Sequence, residues 1–111
     1  MRRWIMMCLV FPFTPSGMEL MKNMQRVAKT LRENYGTDVM IAETSYAYTS
    51  EDGDGQGNSF VGTDDIVEGY PATVQSQATV VRDVCAAANE VGAIGVFYWG
   101  GTWNSGWKSN R

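Results

Sequence analysis

The chain has 111 residues, 44% hydrophobic and 12% aromatic, with 19% charged and a formal net charge of −3. That mixture suits one globular domain or part of one and excludes a disordered tail or a membrane bundle. The acidic pI of about 4.8 argues against nucleic acid, no apolar run reaches the ~18 residues of a membrane span, and the absence of histidine leaves any chemistry to carboxylates, amides, hydroxyls and rings.

Met1-Arg2-Arg3 followed by Trp4 to Val10 has the outline of a secretory signal, a basic start and then an apolar stretch. The small-x-small cleavage site is missing, so the segment also reads as a buried strand. Ser16 and Glu19 form an S-x-x-E capping box. Met18, Met21, Met24, Ala28 and Leu31 then recur near the helical period, with Gly36 as a left-handed stop. Val39 to Ala42 is a short continuous apolar strand. A polar, glycine-rich stretch from about Thr44 to Gly69 is too long for an ordinary connection and is a candidate functional loop. Pro71 opens a second helix with apolar residues at Val74, Ala78, Val81, Cys85 and Ala88, and Gly92 closes it. Ile94 to Trp99 is a third apolar strand, followed by a Gly/Ser/Asn tail. Cys8 and Cys85 form no CxxC and read as small buried apolar residues.

The order is strand, helix, strand, helix, strand. Strands apolar throughout, rather than alternating, point to a parallel α/β sheet covered on both faces, either part of a doubly wound sheet or an arc of a (β/α)8 barrel. No GxGxxG follows the first strand, so dinucleotide binding has no support. A full barrel takes about 250 residues, so the chain reads as a piece.

Ligands of parallel α/β folds collect at the carboxyl ends of the strands. Glu43 ends the second strand, Trp99 the third and Phe11-Pro12-Phe13 the first. A carboxylate directly after a buried strand is costly unless paired, solvated or used, so Glu43 is either a solvated exit residue or a catalytic one. Asp52, Asp54, Gln56 and Asn58 stand at alternate positions between glycines, a spacing that lets oxygens converge on a hard cation. The EF-hand pattern fails where Thr63 replaces the closing Glu, which leaves a non-EF calcium loop or an acidic turn. Tyr46, Tyr48, Phe60, Tyr70, Trp99, Trp103 and Trp107 lie in loops or at strand ends. Such rings suit the apolar faces of sugars or a core, with Trp99 and Trp103 best placed for stacking.

Asp38 to Thr49, Glu51 to Phe60, Gly69 to Gln75 and Gly95 to Trp99 together resemble the arabinogalactan endo-β-1,4-galactanases of glycoside hydrolase family 53, over roughly residues 11 to 103. The resemblance implies a (β/α)8 TIM barrel, of which this chain, residues 1–111, supplies the C-terminal portion as the β-α-β-α-β arc of strands six to eight. It implies a retaining glycosidase that cuts internal linkages of pectic β-1,4-galactan outside the cell. Glu43 corresponds to the family nucleophile. The acid/base Glu follows strand four of the family barrel, which this chain lacks, and Glu51 is a poor substitute because its loop looks committed to calcium. The isolated chain is therefore expected to be inactive or nearly so. Asp52, Asp54, Gln56 and Asn58 correspond to the calcium loop within the 44–69 segment, with Gln56 where the family usually has His. Further ligands come from the loop after strand eight, so the site is expected to be incomplete. Trp99, Tyr46, Ser59, Phe60 and Trp103 are the expected substrate contacts.

Two local departures stand out. Leu9-Val10-Phe11-Pro12-Phe13-Thr14 replaces the family's Ser-Tyr-Tyr-Pro-Phe-Trp, which makes residues 1–10 the doubtful part of the match, and Gly100-Gly101 replaces Glu-Pro. Two other classes stay open: a non-catalytic, calcium-stabilised carbohydrate-binding piece, and a fragment that self-associates or completes a barrel through exposed sheet edges. Nucleic acid and membrane are not expected as partners.

Overall fold

The computed structural model describes residues 4–8, 17–51 and 66–99. Strand β1 (Trp4–Cys8) leads to helix α1 (Gly17–Tyr35), strand β2 (Asp38–Thr44), helix α2 (Val74–Glu90) and strand β3 (Val96–Tyr98). The three strands form one parallel sheet in the order β1-β2-β3, as the apolar runs predict, although β3 is shorter than its run.

α1 and α2 touch each other. Gln25 Nε2 on α1 donates to the Ala87 carbonyl at 3.1 Å and to Glu90 Oε2 at 2.6 Å, both on α2. Two crossovers that advance in one direction with one hand put both helices on one face of the sheet. An arc of a barrel has this arrangement, and so does one half of a doubly wound sheet, whose direction reverses only between its halves. The core lies between this face and the helices: Met21 and Met24 from α1, Ile41 from β2, and Val80, Val84, Ala87 and Ala88 from α2. On the other face Phe97 is exposed, while Met40 and Ala42 are half-buried. No helix among the described residues is long and apolar enough to cross a membrane.

α1 ends where the sequence expects. Gly36 has φ +59° and its N–H donates to the Arg32 carbonyl at 2.9 Å. α2 begins later than Pro71, because Thr73 is its N-cap: the hydroxyl accepts from Ser76 N–H at 3.1 Å. At its other end Gly92 N–H donates to Asn89 and Ala93 N–H to Ala88, the paired bonds of a Schellman motif.

The buried stripe of α2 differs from expectation. It is Ser76, Val80, Val84, Ala87 and Ala88, whereas Val74, Ala78 and Cys85 are exposed. Small apolar residues occupy several sides of this helix, so periodicity specified a helix without specifying which side faces the sheet. Cys85 is consequently a free, exposed thiol, contrary to the expected burial. On α1, Met18 is likewise exposed, while Met21, Met24 and Ala28 are buried.

Candidate functional site

Along β2 the side chains alternate as a strand requires, with Val39 and Ile41 fully buried against the helices. Strict alternation would send Glu43 into that same apolar layer. The ladder prevents this. Met7 pairs with Ile41 but Cys8 with Glu43, and on the other side Val96 pairs with Ile41 but Tyr98 with Thr44. One extra residue of β2 is therefore accommodated between Ile41 and Thr44, a β-bulge at the carboxyl end of the strand. Thr44 takes the buried position, 1% exposed, and Glu43 is half-buried at the strand exit.

β3 ends beside it. Trp99 N–H donates to the Thr44 carbonyl at 2.8 Å, so the carboxylate of Glu43 and the indole of Trp99 leave the same end of neighbouring strands. Trp99 is 57% exposed, which leaves ring surface available to a flat apolar ligand face.

Tyr46, expected as a substrate contact, is a core residue. It is 4% exposed and belongs to the buried cluster. Its hydroxyl donates to the Tyr70 carbonyl and accepts from Val67 N–H at 3.1 Å, and its ring meets that of Tyr70 edge-on at 6.3 Å. The hydroxyl thus pins the 67–70 turn, whose own bond runs from Tyr70 N–H to the Val67 carbonyl at 2.9 Å. Tyr70 in turn donates to Asp83 Oδ2 on α2 at 2.9 Å. Burial pushes both phenols above their ordinary range. Val67 N–H opposes the shift at Tyr46, while the bond to Asp83 adds to it at Tyr70.

Two participants carried no sequence expectation of a role. Tyr98 Oη and Gln77 Nε2 both reach the backbone of Tyr46. One available clue was the tyrosine inside an apolar strand, since a buried phenol seeks a hydrogen-bond partner. Gln77 offered none. Among the described residues, the hydroxyl of Thr44, next to Glu43, is buried with no hydrogen-bond partner.

Asp52, Asp54, Gln56, Asn58, Ser59, Phe60 and Trp103 lie outside the described residues. Among the described residues there is no group of three His, Cys, Asp or Glu side chains able to hold a metal ion.

The model of glycosyl hydrolase family 53 matches residues 8–110. An endo-β-1,4-galactanase of Bacillus subtilis (strain 168) is 47% identical over 85 residues, which are 75% of this chain and 20% of that protein. An arabinogalactan endo-β-1,4-galactanase of Cellvibrio japonicus is 32% identical over 75 residues, 68% of this chain and 20% of that protein. Among solved structures, the Ignisphaera aggregans GH53 catalytic domain superposes with a TM-score of 0.75 at 36% identity, covering 91% of this chain and 28% of that one. The chain thus spans about a fifth of the length of these curated relatives.

Proposed function

The chain belongs to glycosyl hydrolase family 53, and from that premise we propose that it carries the nucleophile half of a retaining endo-β-1,4-galactanase site. One observation supports this most: the bulge in β2 turns Glu43 out of the helix-packed layer at the strand end where Trp99 also emerges. In a retaining mechanism the ionised Glu43 attacks the anomeric carbon and forms a glycosyl-enzyme ester. A carboxylic acid about 5–5.5 Å away protonates the departing glycosidic oxygen, then activates the water that hydrolyses the ester. We assign that acid to a strand outside these residues, with the three strands here as the sixth to eighth of the barrel. Glu51 lies in an exposed loop, its N–H held by Thr49 Oγ1 at 3.2 Å, and is not assigned the role.

The substrate in this reading is the β-1,4-galactan side chain of pectin, with Trp99, Ser59, Phe60 and Trp103 along the groove. A wall polymer is too large to enter a cell, which places the activity outside it. The side-chain oxygens of Asp52, Asp54, Gln56 and Asn58 form an all-oxygen donor set that fits calcium, with Gln56 contributing its amide oxygen. Bound calcium would act structurally, tying this loop to the one after β3.

A 2-deoxy-2-fluoro-β-galactoside with a dinitrophenolate leaving group tests the nucleophile, because that group departs without protonation. Peptide mass spectrometry is expected to find the sugar on Glu43; an adduct on another carboxylate, or none, overturns the assignment. Galactan hydrolysis by the 111-residue chain, abolished by Glu43→Gln, would show instead that the acid is present here.

A second reading rests on the sheet itself. Among the described residues both outer strands, β1 and β3, have one unpaired edge, and such edges recruit further strands. Association with another chain, or a copy of this one, would complete them. Light scattering decides, since a clean monomer counts against it.

A further inference from the structure

The loop that leaves β2 is clamped by groups from two other elements. Tyr98 Oη accepts the Tyr46 N–H at 3.2 Å and donates to the Tyr46 carbonyl at 2.9 Å. Gln77 Nε2 on α2 donates to that same carbonyl at 2.7 Å and to Tyr98 Oη at 3.0 Å. Both polar groups of one peptide residue, three positions beyond Glu43, are thereby held from outside. The phenol uses its single proton and two acceptor sites, and the amide uses both of its protons. Directly between, the Thr44 carbonyl accepts from Trp99 N–H. The backbone around Glu43 is thus gripped by the β1–β2–β3 ladder at the bulge and by the Tyr98–Gln77 clamp just after it.

Packing does not require these polar groups. Phenylalanine at 98 and leucine at 77 would supply similar apolar bulk, yet the hydroxyl and the amide both go to the backbone of a segment without regular secondary structure. We propose that Tyr98 and Gln77 are positioning residues for Glu43: by fixing residues 44–46 they hold the bulged strand end in the geometry that aims its carboxylate. The catalytic meaning of this aim rests on Glu43 as the nucleophile.

The test is NMR of the 111-residue chain and its Tyr98→Phe, Gln77→Leu and Gln77→Glu variants, with Hα–Hβ couplings of Glu43 and amide hydrogen exchange as readouts. No turnover is measured, so the outcome is independent of whether Glu43 is the nucleophile. Wild type is expected to hold Glu43 in one χ1 rotamer. The variants are expected to average its couplings and to speed exchange at Tyr46 about tenfold, with Ile41 and Val84 unchanged. Glu43 couplings that stay fixed while Tyr46 exchange accelerates would overturn the proposal. Should Tyr98→Phe fail to fold, Gln77→Glu, which keeps the size of the side chain but removes both donors, makes the same comparison.

Discussion

Arg32 lies across Gly92. Its Nη1 donates to the Val91 carbonyl, and the guanidinium fills the space a Cβ on Gly92 would need, with Cζ only 3.0 Å from that point. Gly92 also has φ +68°, whereas Gly36, at φ +59°, has open space around it. The two glycines therefore separate backbone strain from steric displacement. Gly36→Ala is expected to cost about 1 kcal/mol from the left-handed backbone alone. Gly92→Ala should cost about 2 kcal/mol, because Arg32 must also leave Val91. In an Arg32→Ala background the two costs should converge. Urea unfolding measures all four, and equal losses in the wild-type background would count against the contact.

Thr44→Val should stabilise the chain. The hydroxyl is buried without a partner among the described residues, and valine replaces it at nearly the same shape. The expected gain is up to about 1 kcal/mol, read as a higher urea midpoint at unchanged slope. A loss of stability would mean that the hydroxyl is satisfied in solution.

Alkaline pH should unlock the tyrosine network. Burial raises Tyr46 and Tyr70 above the ordinary phenol range, with Asp83 adding to the shift at Tyr70. The folded state thus prefers the neutral phenols. Their contribution is complete below the unfolded value of about 10 and is lost as pH rises through the raised folded values. Absorbance at the phenolate band should show late-titrating tyrosines, and the urea midpoint should fall above about pH 10. Tyr46→Phe should flatten that fall; an unchanged slope would place its origin elsewhere.

Calcium binding should be weak. Four side-chain donors are fewer than the six to eight oxygens the ion takes, so calorimetry is expected to give a Kd of about 10⁻⁴ M or weaker, abolished by Asp54→Ala. Micromolar binding would show a fuller ligand set within these residues.

Much of the architecture was legible in the apolar runs and their punctuation. Gly36 and Gly92 close both helices as their positions suggested, and Val39 to Ala42 lies within β2. The side of α2 that faces the sheet was not legible, since Val80 and Val84 alternate with equally apolar Val81 and Cys85. Nor was the burial of Tyr46, whose place in a loop of aromatics suggested a ligand contact.

Local chemistry, then, was enough to set the order of strands and helices and to put Glu43 and Trp99 at strand ends, because hydrophobic period and capping act over a few residues. Tertiary structure alone decided that both helices share one face, that a bulge turns Glu43 away from the helix layer, and that Tyr98 and Gln77 meet the backbone of Tyr46 across 52 and 31 positions of chain. Those outcomes depend on register and on which distant polar groups find one another as the core closes. No single segment encodes them.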